Sequence, residues 1–94
     1  MPVRVYLTRM LVRHLNIAPE LSVEAGSLGD LFDKIESNHR GFRDSVCDES
    51  GRIRTYVNVF LNGERVAQEP GFGSTPVSNG DEVYILASVA GGLV

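Results

Sequence analysis

The sequence has few of the residues that build disulfides, metal centres and nucleic-acid surfaces. Cys47 is the only cysteine among 94 residues, so neither an internal disulfide nor a four-cysteine zinc or iron–sulfur site is possible. Lys34 is the only lysine and the formal net charge is −3, which argues against nucleic acid as a main partner. Because disulfides are rare in reducing compartments, the cysteine content favours a cytoplasmic protein.

Long apolar runs are missing as well. The first ten residues carry Arg4 and Arg9 and contain no uninterrupted apolar stretch, so we expect no signal peptide. No apolar run approaches the ~20 residues of a membrane helix, and we expect no membrane association. The remaining composition, 43% hydrophobic and 22% charged, is typical of one soluble globular domain.

Alternating apolar residues predict five strands. Val3, Val5 and Leu7 show the period of two that is typical of a half-buried strand. Asn62-Gly63 separates two such segments and predicts a hairpin turn, because both residues tolerate positive φ. The predicted strands are residues 3–8, 21–25, 56–61, 64–67 and 82–88.

A change of period predicts one main helix over about residues 28–39. Leu28, Leu31, Phe32 and Ile35 follow the i, i+3, i+4, i+7 spacing of an amphipathic helix, and Ser27 precedes them as a suitable N-cap. Gly41 is interpreted as a C-cap. Residues 9–18 are predicted to be a turn or irregular loop, and residues 70–76 a loop.

These elements predict an α+β fold, with one main helix packed on a mixed five-stranded sheet. The helix is expected to cover the sheet face formed by Val3, Val5, Leu7, Val57, Val59, Leu61, Val83 and Ile85. The opposite face has no second helix, and alternation places Tyr6, Phe60, Tyr84 and Leu86 there. Those four could be ordinary exposed residues, could be covered by residues 68–78, or could form a docking surface for another protein.

Three short segments together carry a family resemblance. They are residues 57–64 (VNVFLNGE), residues 79–83 (NGDEV) and residues 89–92 (VAGG). Their order and spacing resemble the ThiS/MoaD family of ubiquitin-like β-grasp sulfur carriers, and the resemblance covers essentially the whole chain. It implies a β-grasp domain over residues 1–89 and a flexible tail over residues 90–94.

The resemblance implies a carrier protein and not an enzyme. An adenylating enzyme related to ubiquitin-activating enzymes would join the carboxylate of Gly92 to AMP, using Mg-ATP that the carrier itself does not hold. A sulfur donor protein would then leave a thiocarboxylate on Gly92, and a sulfur-accepting synthase would consume it. Ala90 and Gly91 would thread into the partner, and the apolar face would contact the activating enzyme.

The chain departs from the family pattern at its last two residues. Leu93 and Val94 follow Gly92, so the carboxyl group of Gly92 is held in a peptide bond. Cleavage between Gly92 and Leu93, by a metalloprotease, is the interpretation we favour. An uncleaved, functionless extension and an altered ending are the alternatives.

The sequence leaves other functions open. The same activated glycine could join the chain to lysines of target proteins, as in a ubiquitin-like modifier. The chain could also be the small subunit of molybdopterin synthase, or a β-grasp binding module with an inert tail.

Overall fold

The computed structural model is described here for residues 2–88. Strands and helices alternate at first, and the last element of the described residues is a strand. In chain order the elements are β1 (Val3–Leu7), α1 (Arg9–Leu15), β2 (Glu20–Val23), α2 (Leu28–Asn38), α3 (Phe42–Val46), β3 (Val57–Leu61), β4 (Glu64–Arg65) and β5 (Glu82–Ala87).

The five predicted strands form one mixed sheet in the order β2-β1-β5-β3-β4. The first and last strands pair in parallel, with Val5 beside Val83 and Leu7 beside Ile85. The other neighbouring strands are antiparallel. The prediction of a mixed five-stranded sheet is therefore confirmed, although β4 has two residues in place of the predicted four.

The main helix forms where the sequence predicts it. The Ser27 hydroxyl accepts a hydrogen bond from the Asp30 amide at 3.1 Å, which satisfies one of the free donors of the first turn. Leu28, Leu31, Phe32 and Ile35 of α2 are buried. They pack in one core with the inward residues of the sheet, so the predicted helix face is confirmed.

The prediction of an irregular loop over residues 9–18 is wrong. Residues 9–15 form α1, which buries Leu11 and ends at Asn16, whose φ is 53°. Asparagine tolerates this left-handed conformation better than most residues. The helix is only seven residues long, so tertiary packing and not intrinsic propensity holds it in place.

A second short helix, α3, was not predicted. The sequence suggested Gly41 as the C-cap of α2, and this is wrong because His39 occupies that position. Gly41, whose φ is 98°, is the N-cap of α3. The Glu36 carboxylate accepts hydrogen bonds from the backbone amides of Gly41 and Arg43, at 3.2 and 2.9 Å. The amide hydrogen bond from Arg43, and to a smaller extent that from Gly41, lowers the pKa of the Glu36 carboxyl. The ionised carboxylate of Glu36 therefore links α3 to α2.

The segment predicted as a loop over residues 70–76 contains a 3₁₀ helix, Pro70–Ser74. Phe72 is buried, and its ring centroid lies 5.3 Å from that of Phe32 on α2. Gly29 and Gly73 also approach closely, since a Cβ on Gly29 would lie 3.0 Å from the Gly73 carbonyl oxygen. This segment therefore packs on the helix side of the sheet, and the interpretation that it covers the opposite face is wrong.

The central strand β5 has two different faces. Val83 and Ile85 are fully buried, whereas Tyr84 and Leu86 are 39% and 38% exposed. Successive side chains of a strand point to opposite sides of the sheet, so this alternation is a direct consequence of the backbone. One face of β5 belongs to the core, and the other faces outward.

Neighbouring residues of β5 provide a matched test of that division. We expect Ile85→Ala to lower the free energy of unfolding by about 2–5 kcal/mol, because it leaves a cavity in the core. Leu86→Ala should cost less than about 1 kcal/mol, because the side chain is largely outside the core. Urea denaturation measures both values, and equal losses would show that the outer face is also part of the core.

Candidate functional site

The sheet topology fixes where the chain passes into residues 89–94. Ala87, the last residue of β5, pairs with Val57 of β3, and the Ser88 amide donates to the Tyr56 carbonyl at 3.0 Å. Since β5 is the central strand, the chain leaves from the middle of one end of the sheet. We call this point, at Ser88, the tail root.

The predicted tail lies outside the described residues. Ala90 and Gly91, predicted to thread into a partner, and Gly92, predicted to carry the sulfur, all belong to it. The predicted cleavage point between Gly92 and Leu93 also belongs to it. These assignments remain predictions, and what the structure describes is the surface around the tail root.

Three of the four predicted docking residues form one row across the sheet. Tyr84 lies in register with Tyr6 on one side and with Phe60 on the other. The rings of Tyr6 and Tyr84 stack, with centroids 4.6 Å apart and planes 18° from parallel. Glu20 and Arg65 complete the row at its two ends, one beside Tyr6 and the other beside Phe60.

We call Tyr6, Phe60, Tyr84 and Leu86 together the aromatic face. Leu86 lies two residues beyond Tyr84 on β5, closer to the tail root, and pairs with Asn58. Tyr6 and Phe60 are half-buried, while Tyr84 and Leu86 are exposed. The structure thus brings the four predicted docking residues together on the side of the sheet that α2 does not cover.

Charged residues surround the aromatic face. Arg4 neighbours Glu82 in the β1–β5 pairing, on the same side of the sheet as Tyr6. The Tyr6 side chain, followed by the charge of Glu20, raises the pKa of the Arg4 guanidinium, which like any arginine is ionised at physiological pH. An apolar centre with a charged rim is the usual composition of a protein–protein contact surface.

A second feature next to the tail root was not predicted from the sequence. A groove of about 580 Å³ lies on the helix side of the sheet, against Ala87. Met10 and His14 of α1, Asp44 of α3, Arg54 and Tyr56 also line it. Arg9 and Arg13 line an adjoining hollow of about 500 Å³ that shares Met10 and His14.

We call these two adjoining hollows the basic groove. The sequence did carry a signal for it, because Leu11 and Leu15 have the i, i+4 spacing of one helix face and Thr8 can begin a helix. On such a helix Arg9 and Arg13 also lie on one face. The groove was missed because these residues were assigned to a loop.

Neither the thiol nor the other candidate ligands of the described body form a reactive site. Cys47 is buried, and burial raises the pKa of its thiol, which therefore stays protonated and weakly nucleophilic. Within residues 2–88, no three histidine, cysteine, aspartate or glutamate side chains lie together in a way that could hold a metal ion. None of the helices in this part of the chain is long and apolar enough to cross a bilayer. Within residues 2–88, the aromatic face and the basic groove lie on opposite sides of the sheet next to the tail root.

Comparison with known proteins agrees with this geometry. The sequence model of the ThiS family matches residues 13–92. The sulfur carrier protein CysO of Mycobacterium tuberculosis is 32% identical over 94 residues, which cover 98% of this chain and all of the relative. The small archaeal modifier protein 3 of Haloferax volcanii is 32% identical over 66 residues, 70% of each chain.

A solved structure extends the similarity to three dimensions. A chain in the crystal structure of the Amycolatopsis orientalis BexX/CysO complex matches with a TM-score of 0.81 and 28% identity. The match covers 96% of this chain and 99% of that one. The family match, the CysO relative and this structural similarity lead to one conclusion: the chain belongs to the ThiS family and has its ubiquitin-like β-grasp fold.

Proposed function

We propose that this protein is a sulfur carrier whose mature C-terminus is Gly92. The observation that carries the proposal is the family match, which runs to residue 92 and therefore ends on the second glycine of the tail. A relative that aligns along its whole length is named a sulfur carrier protein. The chain itself would be the substrate of an adenylating enzyme and would catalyse nothing.

The chemistry requires two displacement steps, the first at the α-phosphorus of ATP and the second at the carboxyl carbon of Gly92. A carboxylate oxygen first attacks the α-phosphorus of ATP, which releases pyrophosphate and leaves an acyl-adenylate. Hydrosulfide, released by a donor protein, then attacks the acyl carbon, and AMP leaves with the electrons of the broken C–O bond. The product is a thiocarboxylate, whose sulfur an accepting synthase would transfer to a metabolite.

Nothing in these steps requires the carrier to bind a cofactor. The adenylating enzyme would supply Mg-ATP, and the carrier would supply only the acyl group. Because the reactions use ATP and a reduced sulfur atom, we propose that they take place in the cytoplasm.

The position of the tail root supports the proposal that the carrier supplies only the acyl group and the enzyme supplies Mg-ATP. Fully extended, residues 89–92 would reach about 13 Å beyond Ser88, at ~3.3 Å per residue. Gly91 and Gly92 lack Cβ atoms, so they would fit a channel too narrow for other residues. A partner could hold the body outside such a channel while Gly92 reached the nucleotide.

We propose that the aromatic face is the surface by which the activating enzyme holds the body. Leu86 is two residues from Ser88, so a protein that covers this face is already close to the tail root. Exposed tyrosines with little conformational freedom are common anchors of protein interfaces. The stacking of Tyr6 on Tyr84 fixes both rings before a partner binds.

The residues that follow Gly92 make a cleavage step part of the proposal. The peptide bond to Leu93 prevents adenylation of Gly92, so a protease must cut it first. We propose a metalloprotease for this role. Activation would then depend on prior processing, and the 94-residue chain would be a precursor.

A second candidate function uses the same activated glycine. One relative is named a small archaeal modifier protein, which favours attachment of Gly92 to lysines of other proteins. Attachment would yield covalent adducts of higher mass, whereas a carrier would yield the free thiocarboxylate.

Sulfur transfer can be tested on a chain that ends at Gly92. In a Cys47→Ala background, we expect this chain to exchange one oxygen for sulfur when incubated with the organism's adenylating enzyme, Mg-ATP and sulfide. Intact mass spectrometry measures the gain, and alkylation should place it on the C-terminal peptide. Removing the cysteine ensures that an alkylated thiol there is the thiocarboxylate.

The 94-residue chain with the same Cys47→Ala change is the matched control, and it should gain no sulfur because its Gly92 is blocked. Omission of ATP should also abolish the gain. Failure of the shortened chain to gain sulfur, or equal gain by both chains, would contradict the proposal.

Docking can be tested by ATP–pyrophosphate exchange with the same shortened chain. We expect Tyr84→Ala to raise the carrier concentration that gives half-maximal exchange by roughly 30-fold, as loss of an aromatic anchor typically costs about 2 kcal/mol. The maximal rate should change little, because the tail is intact. Tyr84→Phe keeps the ring and should behave like the unaltered chain; a folded Tyr84→Ala variant with unchanged half-maximal concentration would refute the docking assignment.

A further inference from the structure

The basic groove concentrates positive charge in a chain that is acidic as a whole. Arg9, Arg13 and Arg54 line it, and Asp44 is the only carboxylate among the lining residues of the two hollows. The formal net charge of the chain is −3. The groove is therefore a locally positive region of an acidic chain. Because it lies at the tail root, a protein that binds the tail would be close to this positive charge.

The arginines of the groove have no carboxylate partners in the described chain. Within residues 2–88 the ion pairs are Lys34 with Asp30 and Arg43 with Asp33. The Arg54 guanidinium donates from Nε to the backbone carbonyl of Asp44 at 2.8 Å, a bond that fixes its position without neutralising it.

The groove also has an apolar component. Met10 is 37% exposed, which is unusual for a large hydrophobic side chain in this structure, and Tyr56 and Ala87 are partly buried beside it. A ligand that matches the groove would combine negative charge with apolar side chains. Both are available in an acidic peptide segment that carries an aliphatic or aromatic residue.

Distance ties this surface to the activation of Gly92. Ala87 lines the groove, and Gly92 is the fifth residue after it, at most about 16 Å away along extended chain at ~3.3 Å per residue. Leu86 of the aromatic face is adjacent to Ala87 on β5, and it points to the other side of the sheet. An enzyme that holds both the aromatic face and Gly92 is therefore within reach of the basic groove.

We infer that the basic groove binds an acidic, partly apolar segment of the adenylating enzyme, so that the enzyme contacts both sides of the sheet around the tail. The inference rests on the proposed function, and it adds a second contact surface with its own chemistry. The aromatic face would supply apolar contact area. The groove would supply attraction between opposite charges, which speeds association and orients the tail.

The test is ATP–pyrophosphate exchange with the organism's adenylating enzyme and the chain that ends at Gly92. At low ionic strength we expect Arg13→Glu to raise the half-maximal carrier concentration roughly tenfold, with the maximal rate unchanged. The difference should shrink as salt is added, because the contact lies at the surface and is screened. Arg9→Glu, which places a carboxylate in the first turn of α1 where it suits the helix, should show the same salt-dependent loss.

Lys34→Glu is the control for charge reversal at an exposed helical position, and because it also breaks the Lys34–Asp30 ion pair, circular dichroism must show that it is folded. The Lys34 ammonium donates to the Glu24 carbonyl, next to Val23, which pairs with Val3. That places Lys34 at the opposite end of the sheet from the groove, so this variant should behave like the unaltered chain.

The possible results distinguish a failure of this inference from a failure of the proposed function. If Arg13→Glu and Arg9→Glu leave the exchange unchanged, or if Lys34→Glu weakens it equally, this inference alone is wrong. Absence of exchange with the unaltered shortened chain would overturn the proposed function and this inference with it. A salt-sensitive self-association of the carrier that Arg13→Glu abolishes, with exchange unaffected, would assign the groove to a second copy and would also overturn the inference.

Discussion

The parallel pairing of the first and last strands is the constraint on which the rest of this structure depends. β1 and β5 lie side by side at the centre of the sheet, and the segments between them must return across the helix side to make that possible. Because the last strand is central and not at an edge, the chain continues from the middle of the domain. The tail root is consequently flanked by both faces of the sheet, and each face offers a different chemistry.

The alternation of side chains along β5 determines which residues lie on each face of the sheet. Ile85 points into the core that α2 covers, while Tyr84 and Leu86 point outward to the aromatic face. The short helices α1 and α3 then bound the groove on the other side, where Met10 and Asp44 line it together with Ala87. In the proposed function the described body therefore presents a substrate tail and contributes no reacting group.

The regular parts of the fold could be predicted from the sequence, and the short irregular parts could not. Strong period-two segments and the stripe from Leu28 to Ile35 predicted the strands and α2, because each pattern extends over several residues. In α1 only Leu11 is fully buried, and exposed Met10 breaks its pattern. In α3 two buried residues, Phe42 and Val46, are too few to define a period, and the capping carboxylate of Glu36 comes from another helix.

The same distinction applies to the candidate site. The side of the sheet occupied by Tyr6, Phe60, Tyr84 and Leu86 follows from alternation, but the stacking of Tyr6 on Tyr84 depends on which strands are neighbours. The i, i+4 spacing of Leu11 and Leu15 could have indicated α1, but the basic groove also depends on long-range packing that brings Arg54 beside α1, which no local pattern encodes. The proposed function depends on the chemical state of Gly92, which the intact mass of the protein purified from its own organism reveals. We expect chains that end at Gly92, a fraction of them with sulfur in place of one carboxyl oxygen; if every chain extends beyond Gly92, the proposed function is wrong.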